Sequence, residues 1–450
     1  MKMKKLIIGL IIVFCIGIGG VFMFRKNEKK FESLYPRSNE TFVGDPMPYY
    51  NGKDFLVYYL EDHRDGEIGF HPFSLLRTRD FYQYEDEGEV IPYENEEDSI
   101  ERALGTGSII RDKKGKYHAF YTGHNDSLVP KERIMHAISN DGVNWKKIPE
   151  DTFEASETYD ANDFRDPFVF WNSESEEYWM LITTRANQTG VIALYASKDL
   201  ENWDDRGIFF SNDLGNDSNL ECPSVVEYQG KWYLTFSDQW DKRVVHYRVS
   251  HDLTEPFKSV EETDYFDAAG FYAGRLTTDG RGLYLIGWIP TKENHDDQMK
   301  YNWAGNLAVH QLVVNESGNL SPSLPEKAEA KIKKKHIDLS QEQTLDLEGE
   351  TIIYQGTYRP SKDEKVIVSV GNQNHLVLDF NANKMAYYND SIERTVEGTS
   401  VTEISFDEAP SYEFKMVHEK DIFVVYLGGK ALSNRIYAGQ TSNIAISHWK

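Results

Sequence analysis

The chain has 450 residues, with 73 acidic against 49 basic side chains and a formal net charge of -24. That balance excludes nucleic acid and anionic membrane surfaces as ligands, and disfavours phosphorylated substrates wherever no local arginine offsets it. The two cysteines, Cys15 in an apolar run and Cys222 far downstream, leave no plausible internal disulfide.

In chain order, the first element is the apolar run Leu6 to Phe24, preceded by Lys2, Lys4 and Lys5 and followed by Arg25, Lys26, Lys29 and Lys30. About 18 apolar residues suffice for a bilayer-spanning helix, and no small-x-small cleavage pattern follows this one. Residues 1–30 are therefore expected to be a signal anchor, a single-pass transmembrane helix, with the rest of the chain outside the cell membrane. Basic residues flank both sides, so the outward orientation rests on the habit of short N-terminal anchors alone.

Beyond residue 31 the chain reads as all-β. Short runs rich in Tyr, Phe, Trp, Val and Ile are punctuated by turn pairs such as Asn51-Gly52, Asp141-Gly142 and Asp279-Gly280. Four segments share a pattern: Leu75 to Ile91, Ala137 to Ile148, Tyr195 to Phe209 and Arg248 to Val260. Each has Ser or Thr, one residue, then Asp, an aromatic shortly after, and an apolar pair. Asp80, Asp141, Asp199 and Asp252 mark a period of roughly 50 to 60 residues, the length of a four-stranded propeller blade. A fifth unit is expected over Leu307 to Leu320. The repeated Asp is read as structural, accepting from backbone amides in its turn, and Trp145 and Trp203 as packing between blades.

Three carboxylates stand at strand mouths in this frame: Asp45 before Pro46, Asp166 before Pro167, and Glu221 two residues before Pro223. Proline pushes its predecessor toward the extended region and is tolerated at a strand's start, so each carboxylate is expected on a rigid strand entrance. If these are innermost strands, the three face one another across the central channel. Converging carboxylates repel, and proteins keep them mainly where the shifted proton affinities are useful.

The order GDP (Gly44 to Pro46), GTGSII (Gly105 to Ile110), RDP (Arg165 to Pro167) and ECP (Glu221 to Pro223) resembles glycoside hydrolase family 32, the β-fructofuranosidases, levanases and inulinases. Gly270 to Ile289, Asn302 to Glu326 and Asp421 to Tyr437 resemble later segments of that family. The resemblance implies a five-bladed β-propeller followed by a C-terminal β-sandwich. It implies Asp45 as nucleophile, Glu221 as general acid and base, and Asp166 as stabiliser of the transition state, the first two about 5 to 5.5 Å apart for net retention. Arg165 would contact the sugar, Tyr272 and Trp303 are candidates for an aromatic platform under it, with core packing as the alternative reading, and no metal or organic cofactor is implied. The family usually carries asparagines where Gly44 and Met47-Pro48 stand, so the bound sugar is the point of departure. His63, Arg64 and His71 are candidates to replace those contacts, and His71 is the one carried into the site.

A helix-leaning basic stretch, residues 326–335, is expected as a linker after a propeller spanning 31–325. The runs TIIYQGTY, KVIVSVG, HLVLDF and IFVVYLGG then read as a β-sandwich over 336–450. His124-Asn125-Asp126 and His295-Asp296-Asp297 lack metal-ligand spacing and read as polar loops. The function implied is release of terminal β-fructofuranosyl units from fructans or sucrose-like oligosaccharides. An arabinofuranosidase, a fructosyltransferase or a non-catalytic carbohydrate-binding propeller are the alternatives on the same framework.

Overall fold

The computed structural model describes residues 29–38, 40–64, 71–315, 318–347, 349, 351–361, 365–389, 400–437 and 443–449. The apolar run expected to cross a membrane lies outside these residues. Among the described residues no helix is long and apolar enough to do so. The first described residues, Lys29–Glu32, form a strand that pairs antiparallel with Gln83 to Asp86.

Five blades of antiparallel strands follow in chain order. The first comprises Phe42–Tyr50, Phe55–Asp62, Phe73–Thr78 and Gln83–Ile91, with Lys29–Glu32 added outside. The second runs through Ala103–Arg111, Tyr117–His124, Glu132–Ser139 and Trp145–Lys147. The third takes Phe164–Asn172, Glu177–Ala186, Thr189–Ser197 and Asp204–Ser211. The fourth has Leu220–Tyr228, Lys231–Asp238 and Val245–Ser250, its outer edge reduced to single bridges at Lys258 and Tyr265. The fifth has Tyr272–Thr278, Leu283–Lys292, Tyr301–Val314 and Leu320–Ser323, and Gly305 pairs with Val43 to join it to the first blade.

The repeat that marks the blades is a turn between third and fourth strands. Thr78, Ser139, Ser197 and Ser250 accept the amides of Asp80, Asp141, Asp199 and Asp252 through their side-chain oxygens. The aspartates in turn accept amides further along, as Asp141 does from Val143 and Asn144, and Asp199 from Glu201 and Asn202. Burial opposes ionisation of Asp141 and Asp199, yet these amides and the Asn144 and Asn202 side chains outweigh it and hold both at about 2. The structural reading of the repeated Asp is borne out.

The apolar cores lie between blades rather than within them. One joins Leu56, Tyr58 and Leu60 of the first blade to Tyr117, Ala119 and Tyr121 of the second, and another joins Phe120 and Ile134 to Met180 and Ala193. Trp145 meets Tyr58 at 5.9 Å between ring centroids and Trp203 meets Phe120 at 5.3 Å, both edge-on, so each seals an inter-blade seam as expected.

Residues 326–335 form a short helix, Glu326–Glu329, and lead into a strand, Lys333–His336, parallel to Ile352–Tyr358. That strand belongs to a five-stranded sheet, which faces a six-stranded one over a core of Tyr354, Val366, Leu376, Phe414 and Phe423. A further core is shared: Leu276, Leu285 and Leu312 of the fifth blade pack with Ile353, Val417 and Val424 of the sandwich. Asp267, fully buried, accepts both the amide and the hydroxyl of Ser433 at 2.8 and 2.6 Å. Arg435 reaches back to Pro290 O at 2.9 Å and Asn306 Oδ1 at 2.6 Å. The sandwich is thus welded to the propeller, and the ends of the inner strands are fixed on one rigid body.

Candidate active site

The site grows out of one defect repeated on all five innermost strands. Pairing with the second strand slips between Gly44 and Met47, Gly105 and Gly107, Arg165 and Phe168, Glu221 and Ser224, and Tyr272 and Arg275. A bulge bends its strand and re-aims a side chain off the ladder. Superposed by register, the five triplets are Gly44-Asp45-Pro46, Gly105-Thr106-Gly107, Arg165-Asp166-Pro167, Glu221-Cys222-Pro223 and Tyr272-Ala273-Gly274.

Two sequence expectations change here. The residue before each proline is not extended: Asp45, Asp166 and Cys222 have φ of 37°, 59° and 51°, the left-handed region that side chains avoid. Bulge geometry overrides the usual proline effect, because the bulged pair leaves the ladder and its φ is set by the inward turn. Glu221 is also not the counterpart of the two aspartates. It stands one place earlier, level with Arg165 and Tyr272, while Cys222 occupies the aspartates' place.

All seven sequence-predicted site residues, Asp45, His71, Arg165, Asp166, Glu221, Tyr272 and Trp303, line one cavity of about 430 Å³ at the propeller axis. His63 and Arg64 do not. Arg64 supports the wall from outside, donating to Trp303 O at 2.6 Å and Thr291 Oγ1 at 2.9 Å.

Asp45 accepts from Thr106 Oγ1 at 2.8 Å and from the indole of Trp288 at 3.1 Å. Burial and the charge of Asp166 push its carboxyl above the usual range, against those two hydrogen bonds and the positive Arg275. Glu221 accepts from Arg165 Nη2 at 3.1 Å on one oxygen and from the Tyr272 hydroxyl at 2.7 Å on the other. Burial raises its carboxyl as well, helped by Asp166 and Asp45 and opposed by Arg165 and Tyr272. Asp166 is 4% exposed and receives the Cys222 amide at 3.0 Å on Oδ2, while its Oδ1 has no partner among the described residues.

Arg165 is fixed by Asp163 at 2.6 Å and by Glu132 at 3.4 Å. Burial disfavours its charge, but Glu221, Glu132 and Asp166 outweigh that and hold the guanidinium firmly protonated. Aromatic rings make the facing wall. His71 leans on Trp303 at 4.5 Å, Trp303 meets Trp288 at 6.3 Å, and Trp288 meets Tyr272 at 5.8 Å. Gly44 allows this wall to close, since a Cβ there would lie 2.5 Å from the Trp303 indole.

The sequence reading missed Thr106, Trp288, Glu132, Gln239, Arg243 and Arg275. Thr106 sits inside a motif already singled out, at the aspartates' place in the second blade, and aligning the five triplets would have found it. Arg275 and Trp288 lie in the segment Gly270 to Ile289, likewise singled out, whereas Glu132, Gln239 and Arg243 lie where no local pattern separates a cavity-facing residue from a core one. Among the described residues no group of three or more His, Cys, Asp or Glu side chains could hold a metal ion. Two partly buried carboxyls, both raised above the ordinary range and carried by the first and fourth blades in one cavity, can attack a carbon and protonate its leaving group in one step.

Comparison with known proteins agrees with this architecture. The chain is 24% identical over 363 residues to a sucrose-6-phosphate hydrolase of Vibrio alginolyticus, covering 72% of this chain and 69% of that one. It is 25% identical over 348 residues to a levanase of Bacillus subtilis, covering 68% and 49%. The solved structure of a sucrose-6-phosphate hydrolase from Lactobacillus gasseri superposes with a TM-score of 0.72 at 18% identity, over 94% of this chain and 91% of that one. Residues 37–321, which carry every bulge triplet described above, match the glycosyl hydrolases family 32 N-terminal domain, and the chain belongs to that family.

Proposed function

We propose that this protein is a retaining glycosidase that releases terminal β-fructofuranosyl units from fructans or sucrose-like oligosaccharides. The observation that carries the reading is the pair Asp45 and Glu221 in one cavity, both raised by burial, with Asp166 beside them. Asp45 attacks the anomeric carbon as the bond to the leaving sugar breaks, and Glu221 gives its proton to the departing oxygen. A glycosyl ester on Asp45 results.

Esterification removes the Asp45 charge, one of those that favour the protonated Glu221, so the proton affinity of Glu221 falls and it stays ionised, ready to act as general base. It takes a proton from water as the water oxygen bonds to the anomeric carbon, and Asp45 leaves as carboxylate. Arg165 and Tyr272 stabilise the ionised Glu221 between the two steps. Asp166 offers its unpartnered oxygen to sugar hydroxyls and to the positive charge that develops on the ring. Trp303 and His71 supply the apolar face on the Asp45 side. The scheme needs no metal and no organic cofactor. The run Leu6 to Phe24 supports a tether that keeps the enzyme at the outer face of the cell membrane.

The test is the product profile of the chain from Lys30 onward with sucrose, inulin, levan and arabinofuranosyl oligosaccharides. Free fructose, lost in Asp45→Asn, is the expected result. Arabinose release would reassign the sugar, and binding without any product would make the propeller a carbohydrate-binding module.

A further inference from the structure

A second cavity, of about 470 Å³, opens at the seam between propeller and sandwich and shares no lining residue with the catalytic one. Its size is that of a small-molecule site, roughly 300 to 1,000 Å³. Three parts of the chain build it. Arg37 comes from the segment that leads into the first blade and Phe42 from that blade's first strand. His295 follows the fifth-blade strand Leu283–Lys292, and Lys420, Arg435 and Tyr437 belong to the sandwich. The segment that carries Arg37 is firmly docked. Glu419 accepts the amides of Leu34 and Tyr35 at 3.0 and 3.2 Å, and Asn306 Nδ2 donates to Tyr35 O at 2.7 Å.

Charge sets this cavity apart. In a chain of net charge -24 it presents Arg37, Lys420 and Arg435 against the single carboxylate of Asp421. Arg435 takes that carboxylate at 2.5 Å and commits its other donors to Pro290 O, Ile289 O and Asn306 Oδ1. Arg37 has only backbone carbonyls, Ser38 O at 3.3 Å and Thr41 O at 3.2 Å, and the Lys420 ammonium has no hydrogen bond or ion pair among the described residues. Burial and the nearby Arg435 both work against the Arg37 charge, and Asp421 and Tyr437 do not outweigh them. A half-buried guanidinium without a counter-ion carries a free-energy cost that a bound anion offsets. His418, in the same wall, adds no further cation: its Nε2 donates to Lys420 O at 2.7 Å, and burial lowers its proton affinity.

Flat rings stand beside the two free cations. The Arg37 guanidinium lies 4.6 Å from the Phe42 ring, and the His295 ring stacks on Tyr437 at 5.3 Å. Phe42 also carries Arg64 at 4.6 Å, and Arg64 donates to Trp303 O, so the cavity lies one ring away from the catalytic wall. An arginine matches pairs of phosphate oxygens, a lysine adds a point charge, and ring faces take the C–H face of a carbon skeleton. A bare anion would leave most of the volume unfilled.

We propose that this cavity is a binding site, separate from the catalytic one, for a phosphate ester of a sugar or polyol. Arg37 and Lys420 hold the phosphate, and Phe42 and Tyr437 face the carbon skeleton. The local arginine thus overrides the general repulsion that the net charge imposes on phosphorylated ligands.

The test is calorimetric titration of the full chain with glycerol 3-phosphate, inorganic phosphate and glycerol. Glycerol 3-phosphate is expected to bind once per chain, more tightly than inorganic phosphate and less tightly as ionic strength rises, while glycerol gives no binding. Lys420→Ala and Arg37→Gln should each weaken it about tenfold, the size of one charge-assisted hydrogen bond, and Arg37→Lys should lose less than Arg37→Gln. Lys420 is exposed, so its variant tests the site even where a change at Arg37 disturbs the docked segment. No binding of glycerol 3-phosphate at millimolar concentration overturns the site, and so does an affinity that neither Lys420→Ala nor Arg37→Gln changes. Both failures leave the reaction in the catalytic cavity standing.

Discussion

Glu221→Gln is expected to lower turnover on sugar leaving groups by about 10² to 10⁴-fold. The change is nearly isosteric, and the neighbours that hold the side chain, Arg165 and Tyr272, stay in place, so the loss reports the missing proton rather than a collapsed wall. Two further readouts separate these causes. An activated aryl leaving group departs without protonation, so its first step is spared and the glycosyl ester accumulates. Added azide then attacks without a general base and restores turnover. The basic limb of the kcat/KM profile should vanish as well, because activity falls with rising pH as the raised carboxyl of Glu221 loses its proton. A variant with unchanged turnover removes Glu221 from the mechanism.

Arg275→Met is expected to change stability and proton affinity together. Arg275 is fully buried on the innermost strand of the fifth blade, and has no ion-pair partner among the described residues. Its guanidinium donates to Gly107 O at 2.5 Å, Asp166 O at 3.0 Å and Pro167 O at 3.5 Å. One side chain therefore ties the bulges of the second and third blades to the fifth. Leaving those carbonyls without a donor costs on the order of 3 kcal/mol, measured by denaturant unfolding.

The charge acts separately on Asp45. The groups that bear on Asp45 are Thr106 of the second blade, Asp166 of the third, Glu221 of the fourth, and Arg275 and Trp288 of the fifth. Asp166 raises the Asp45 carboxyl, whereas Arg275, Thr106 and Trp288 lower it. Without Arg275 the Asp45 carboxyl rises further, and the acid limb of kcat/KM moves to higher pH, since the attacking group must be ionised. Arg275→Lys keeps the charge with fewer hydrogen bonds, and should lose stability while holding the acid limb close to wild type. An acid limb unmoved in Arg275→Met would mean that the buried charge has no part in setting Asp45.

What was legible in the sequence follows from what is local. The Ser/Thr-x-Asp turn is a short-range device, its partners two or three residues away, so its period revealed the blades. Asp45 and Asp166 stood out because each lies directly before a proline at a strand entrance, and Glu221 because it stands two residues before one. Trp145 and Trp203 were readable because they sit in the repeat. Long-range geometry was not legible. Nothing near Arg275 in sequence announces that its partners are Gly107 and Asp166, more than a hundred residues away. The left-handed φ of Asp45 and Asp166 runs against the local proline rule, and only pairing with the second strand reveals the bulge that imposes it. His63, Arg64 and His71 were alike as loop residues, and only the course of the strand Phe73–Thr78 decides that His71 alone reaches the cavity.

The double displacement through Asp45 is tested most directly by the configuration of the first product. Hydrolysed fructose loses this information by mutarotation, so the reaction is run in aqueous methanol and the methyl fructoside is identified by nuclear magnetic resonance. Methyl β-fructofuranoside, with the configuration of the substrate, is the expected product, because two inversions at one carbon restore it. The α-anomer as the first-formed product would mean a single displacement by solvent, and would contradict Asp45 as nucleophile.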